Sequence, residues 1–198
     1  MDPLLEFVPD SLTTSRLVIR SARASDGAAL NAAVVESLDA LRPYMPWAQV
    51  EPTLAQTESE CRRMHARFLL REDLAMLIFE RRSDGSEGGF IGGTGLHRID
   101  WAQRQFEIGY WCRTSANQQG FVTEAVQALM RLGFDVLDAR RLEVRMDDGN
   151  DRSRHVAERA GFRLEGVMRG NSLTPGGELR DTRVYALVRG DSPMPQAT

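Results

Sequence analysis

The sequence predicts a mixed α/β domain, and three observations carry that prediction. The middle of the chain, residues 74–112, holds apolar strand-like runs separated by glycine- and aspartate-containing turns. Helix-like spacing of apolar residues flanks this middle on both sides. Beyond residue 120 helical and extended patterns alternate, giving the order β-α-α-β-β-β-α-β-α-β-β.

The first strand is residues 16–20, Arg-Leu-Val-Ile-Arg, introduced by Thr13-Thr14-Ser15. Ser25-Asp26-Gly27 opens a helix to about Leu38, with Ala28, Leu30, Val34 and Leu38 on one stripe. Two prolines forbid a regular helix across residues 42–47, an apolar loop for its length. A second helix starts at Thr53 or Thr57 and runs to about Arg71. Residues 74–80, 88–98 and 105–112 read as an antiparallel meander, turning at Ser83-Asp84-Gly85-Ser86 and near Asp100. Thr123, Val126, Leu129, Met130 and Phe134 make residues 120–137 an amphipathic helix. A strand at 142–146, a helix at 150–160 and strands at 162–168 and 180–188 complete the pattern. One domain over residues 1–190 is expected, with 191–198 as a flexible tail.

Composition narrows the function. The chain has 198 residues, 42% of them hydrophobic, enough for a substantial core. A net charge of −3 gives no broad attraction to nucleic acid. All 25 basic residues are arginine, so a bound phosphate must rely on arginine, backbone N–H groups or helix ends. Cys61 and Cys112 stand alone, without metal-ligand spacing or a disulfide pattern, as suits a reducing cytosol. No stretch approaches the ~20 apolar residues of a membrane span. The expectation is a cytoplasmic protein with no metal and no membrane partner.

The most informative stretch runs through Glu107, Gly109, Trp111, Cys112 and Arg113 to Asn117-Gln118-Gln119-Gly120-Phe121-Val122-Thr123. A strand ends, a polar loop follows, and a helix opens at a glycine. Helix N-termini present unpaired N–H donors and partial positive charge, which suit a diphosphate, and Gly120 lets the backbone approach it. Further on, Asn150 is a helix N-cap with Ser153 three residues later, and Gly161 closes that helix before Phe162.

These two stretches, in this order and joined by a helix and a strand, resemble the GNAT acetyltransferases. The loop corresponds to Asn117-Gln118-Gln119-Gly120-Phe121-Val122, and the second motif to Asn150, Ser153, Val156, Glu158-Arg159 and Gly161-Phe162. The opening Thr14-Ser15-Arg16-Leu17-Val18-Ile19-Arg20, Glu107-Ile108-Gly109-Tyr110-Trp111 and Asp181-Thr182-Arg183-Val184-Tyr185 are similar to the RimJ/RimL branch, which acetylates ribosomal-protein N-termini. The resemblance covers roughly residues 12–189. Asn117 replaces the usual Gln or Arg, Val122 the usual Gly or Ala, and Ala157 the tyrosine that many members use as acid.

The resemblance implies a central, mostly antiparallel sheet of about seven strands with about four helices. It further implies direct acetyl transfer from acetyl-CoA to an amine. The diphosphate would rest on the N–H groups of residues 118–123, with Trp111, Cys112, Arg113, Asn117 and Asn150 beside the cofactor. A backbone N–H near Cys112 would polarise the thioester carbonyl. Glu107 is the first choice of base, through a water, with His97 as the alternative because imidazole titrates near ~6.5. Ser153 is the expected acid. Tyr44 and Trp47 would wall an acceptor slot, and Asp181 would bind a cationic substrate. The acceptor is a protein N-terminus or else a small amine; a non-catalytic acyl-CoA sensor is the reading from another class. A homodimer accords with the resemblance.

Overall fold

The computed structural model describes residues 2–174 and 176–191. Its strands are β1 (Ser11–Thr13), β2 (Leu17–Ser21), β3 (Leu74–Arg81), β4 (Glu87–Asp100), β5 (Gln105–Cys112), β6 (Arg141–Asp147), β7 (Arg163–Leu173) and β8 (Leu179–Val188). Helices α1 (Gly27–Leu41) and α2 (Leu54–Leu69) lie between β2 and β3, α3 (Phe121–Arg131) follows β5, and α4 (Asp151–Ala160) follows β6. All eight strands form one sheet in the order β1-β2-β3-β4-β5-β6-β8-β7. Every pairing is antiparallel except β5 with β6.

Two apolar clusters sandwich this sheet. Leu17, Ile19, Met76 and Ile78 face one side, with Ala125, Leu129 and Ala157 of α3 and α4. Val18, Leu77 and Phe79 face the other, under Leu30, Val34 and Leu38 of α1 and Cys61 of α2. That is why 74–79 is continuously apolar: a strand covered on both faces has no solvent side to mark with polar residues.

The structure departs from the expected elements in three places, one of them β7, which runs past the expected end at Met168 to Leu173. An eighth strand, β1, pairs with β2, and the Thr14 hydroxyl that accepts from Leu17 N at 2.9 Å tightens the turn between them. The helix expected to reach residue 137 is α-helical only to Arg131; its last turn widens, with Leu137 N donating to Leu132 O at 3.0 Å. Gly133 lies in that turn, where a Cβ would come within 2.9 Å of a Leu142 methyl, so β6 packs against bare backbone. The expected tail, beyond Asp191, lies outside the described residues.

Candidate active site

β5 and β6 pair at only three positions, Gln105↔Arg141, Phe106↔Leu142 and Glu107↔Glu143. Beyond them β5 continues along β4 as far as Gly92↔Cys112, and β6 along β8 as far as Asp147↔Thr182. The two strands therefore part, and a wedge opens through the sheet. Arg113 N donates to Ile91 O at 2.9 Å, which fixes the ladder's phase. By alternation Gly109 and Trp111 turn their N–H and C=O toward β4, while those of Tyr110 and Cys112 turn toward the wedge. A cleft of about 1330 Å³ fills it, with Tyr110 and Cys112 on one wall and Val144 and Met146 on the other.

At one end of the wedge, Asn117 and Val122 bring in the start of α3. Gln118 (φ 63°) and Gly120 (φ 77°) are both left-handed, so the chain turns sharply before the helix begins. Among the described residues, no acceptor meets the N–H groups of Gln118, Gln119, Gly120, Phe121, Val122 or Thr123. The loop is held from behind. Ser115 N donates to Glu36 at 2.7 Å, Arg113 pairs with the same carboxylate, and Arg16 donates to Gln119 O at 3.0 Å. Glu124, in the helix's first turn, anchors Thr14 and Arg16. Arg113 thus points its guanidinium at Glu36 rather than into the cleft, and Phe121 is buried under Arg16, leaving only its N–H for a ligand.

A second set of groups lies on the face covered by α1 and α2. His97 and Glu107 stand opposite each other on β4 and β5. The imidazole lies flat on glycines: a Cβ on Gly109 would sit 2.7 Å from His97 Cδ2, and one on Gly95 would sit 3.0 Å from Cε1. Gly93 seats the Trp111 indole in the same way, 2.4 Å from Nε1. His97 Nδ1 meets Asp73 Oδ2 at 2.8 Å. The Glu107 side chain is 19% exposed, 3.3 Å from Arg98 and 3.6 Å from Arg145. Neither guanidinium reaches hydrogen-bond alignment, so Oε2 is buried without a partner. Burial pushes the Glu107 pKa up, against the pull of Arg98, Arg145 and His97.

Asn150 and Ser153 meet the wedge from the α4 side. The Asn150 side chain accepts from Ser153 N at 3.1 Å, an N-cap. Ser153 Oγ donates to the Tyr110 hydroxyl at 3.0 Å, and that hydroxyl donates to Ser153 O at 2.9 Å. Burial pushes the Tyr110 phenol pKa up, so it stays protonated. Sequence reasoning passed over Tyr110 and Asp73. Tyr110 alternates with Glu107, Gly109 and Trp111, which was a signal that it faces the opposite side, toward α4. Asp73 gave none, since it sits just before a strand like any turn residue.

The 43–47 segment bridges the wedge's open end. Arg180, next to the turn of the β7–β8 hairpin, donates to Pro43 O at 2.9 Å and pairs with Asp147 at 3.2 Å. Tyr44 donates to Gly149 O at 3.4 Å, and Trp47, 53% exposed, packs edge-on against Trp111 at 5.8 Å. Both aromatics line the cleft. Asp181 does not: its carboxylate accepts from Gly170 N at 2.7 Å and its carbonyl from Asp148 N at 3.0 Å, so it braces a hairpin instead of facing a substrate. Among the described residues, no cluster of three or more His, Cys, Asp or Glu side chains is arranged for a metal, and no helix is long and apolar enough to cross a membrane.

This architecture is that of solved acetyltransferases. The chain superposes on RimL, titled a ribosomal L7/L12 alpha-N-protein acetyltransferase in complex with coenzyme A, with a TM-score of 0.80, 25% identity, and coverage of 92% of this chain and 98% of that one. It is 34% identical over 103 residues to "Putative ribosomal N-acetyltransferase YdaF" of Bacillus subtilis, spanning 52% of this chain and 56% of that relative. It is 29% identical over 178 residues to a second protein of that organism, "Uncharacterized N-acetyltransferase YoaA", covering 90% of this chain and 96% of YoaA. The family model described as Acetyltransferase (GNAT) domain matches residues 16–163, and the chain belongs to that family of acyltransferases.

Proposed function

We propose that the protein is an acetyl-CoA-dependent N-acetyltransferase that passes acetyl directly to a primary amine, the α-amine of a ribosomal-protein N-terminus. The observation that carries this is the wedge between β5 and β6, edged by free N–H groups and ending at the N-terminus of α3. Its shape and donors fit a long thioester with a diphosphate: N–H groups 118–123 receive the anion, and the outward edge of β5 pairs with the amide-bearing arm. Bound acetyl-CoA supplies an activated acetyl group. The chain's own residues do the rest. The Cys112 N–H, aimed into the wedge, is positioned to polarise a carbonyl. In this reading Ser153 would turn the proton it now gives to Tyr110 toward sulfur, and Glu107 and His97, opposite each other on β4 and β5, would handle the acceptor's ammonium. The Tyr44–Trp47 bridge leaves an acceptor slot of the kind a peptide end enters. The ribosomal acceptor rests on the names of RimL and YdaF. A single catalytic unit over residues 1–190, a cytoplasmic location and a homodimer belong to the same reading.

The test is thiol release from acetyl-CoA with two panels, short peptides of varied N-terminus and a set of polyamines and aminoglycosides. Release with Ser- or Ala-starting peptides supports the proposal. Release only with small amines replaces the acceptor, and binding of acetyl-CoA without turnover of either panel turns the reading to a sensor.

A further inference from the structure

The carboxylate of Asp73 has no part in the reaction outlined above, yet it meets the cleft beside the one histidine there. It lies between α2 and β3, 24 residues before His97, and its Oδ2 is 2.8 Å from His97 Nδ1. A carboxylate accepts only, so the neutral imidazole in this pair carries its proton on Nδ1 and keeps the Nε2 lone pair. The ring is aimed by the glycines under it. The edge bearing Cδ2 and Nε2 lies over Gly109, where a methyl group would come within 2.9 Å of Nε2, and Gly109 itself lines the wedge. Among the described residues Nε2 meets no hydrogen-bond partner. Glu107, across the ladder, offers an equally unmatched oxygen, but one held between Arg98 and Arg145.

We propose that Asp73 and His97 form an orienting dyad in which Asp73 fixes the tautomer and His97 Nε2 takes the acceptor's proton, while the buried Glu107 Oε2 stays between Arg98 and Arg145. This rests on the acetyl-transfer reading and gives to His97 alone the proton transfer which that reading leaves shared. The choice follows from the surroundings of the two groups. A buried carboxylate flanked by two guanidinium groups already has its countercharges; an imidazole backed by a carboxylate is poised to become cationic. The balance is simple. The acceptor arrives as an ammonium ion, and one proton goes to Nε2 and then to solvent. The freed lone pair forms the amide C–N bond as the thioester C–S bond breaks, and the nitrogen's remaining surplus proton ends on the departing sulfur. Asp73 never touches the acceptor, so it is a positioning residue.

The experiment uses the full chain, acetyl-CoA, and whichever peptide or amine of the two panels is turned over. His97→Ala is expected to lower kcat about 100-fold, within the range of general-base contributions, with acetyl-CoA affinity unchanged. Free imidazole, small enough for the cleft, is expected to restore at least tenfold of it, which a purely structural histidine would not allow. Asp73→Asn is expected to lower kcat about tenfold at unchanged KM, since an amide also supports the wrong tautomer. Nitrogen-detected NMR of the wild type should find His97 as the Nδ1–H form. Glu107→Gln, which leaves both dyad side chains in place, should lower kcat less than His97→Ala does. The assignment is overturned by a His97→Ala variant within threefold of wild type, by lost activity that imidazole does not restore in a protein with the wild-type melting temperature, or by an Nε2–H tautomer. A wild type that releases no CoA with either panel sinks the acetyl-transfer reading itself and takes the dyad with it; an active wild type with an active His97→Ala sinks the dyad alone.

Discussion

Removing one oxygen from Tyr110 tests whether β5 and α4 are tied together across the wedge. The Tyr110→Phe variant keeps the ring and its packing against the core, and loses both the 2.9 Å bond to Ser153 O and the 3.0 Å bond from Ser153 Oγ. A protein hydrogen bond contributes about 1 kcal/mol net, so two of them set the loss at about 2 kcal/mol. For a chain of this length about 1 kcal/mol moves Tm by about 2–4 °C, so a fall of about 4–8 °C is expected. Ser153→Ala removes only one of the two bonds and should cost about 1 kcal/mol. The double variant should then cost about 2 kcal/mol rather than about 3, a coupling of about 1 kcal/mol. Urea unfolding of the four proteins measures all of this. Strict additivity, or a Tyr110→Phe loss below about 0.5 kcal/mol, would refute the tie, because the Ser153 hydroxyl and carbonyl would then be served by water as well as by the phenol.

Two further outcomes follow from buried and anchoring charges. Arg20, its side chain 4% exposed, serves Asp26 at 2.8 Å and Glu87 at 2.6 Å, so Arg20→Met strands a buried carboxylate and should cost about 3–5 kcal/mol; a urea-unfolding loss below about 1 kcal/mol would contradict this. Glu36 is pulled from 4.5 to about 2, first by its hydrogen bonds with Arg113. A depressed carboxylate stabilises the fold above its ordinary value and ceases to as pH falls through the lowered one. The Tm gap between wild type and Glu36→Gln should therefore be full above pH 4.5 and close as pH falls toward about 2; a gap that widens in acid would overturn the assignment.

Much of the fold was legible because the chain's patterns are local. β5 spans Gln105–Cys112, the expected range, since turns flank an uninterrupted run, and Asn150 caps α4 where its side chain fits. β1 escaped notice because three residues, Ser-Leu-Thr, are too few to show a period. The end of α3 was misjudged because apolar spacing continues into a turn whose width is set by Gly133 against Leu142, a contact made only after β6 returns. The site was legible where backbone carries it, in the loop and the helix start. Side-chain roles were less so. Part of Glu107's environment comes from Glu143 and Arg145 on β6, a strand beyond the whole of α3, and Asp181, on the β7–β8 hairpin, spends its carboxylate on Gly170. A sequence names such residues, but partners distant in the chain decide what they do.

Only three rungs join the first five strands to the last three; past them the halves share the core under α3 and α4, the Tyr110–Ser153 bonds and, at the far rim, Arg180 and Tyr44. A slender molecule lying in the gap takes the place of absent rungs along the free edge of β5. The substrate would then also be a brace, and departure of product would return the wedge to those ties alone.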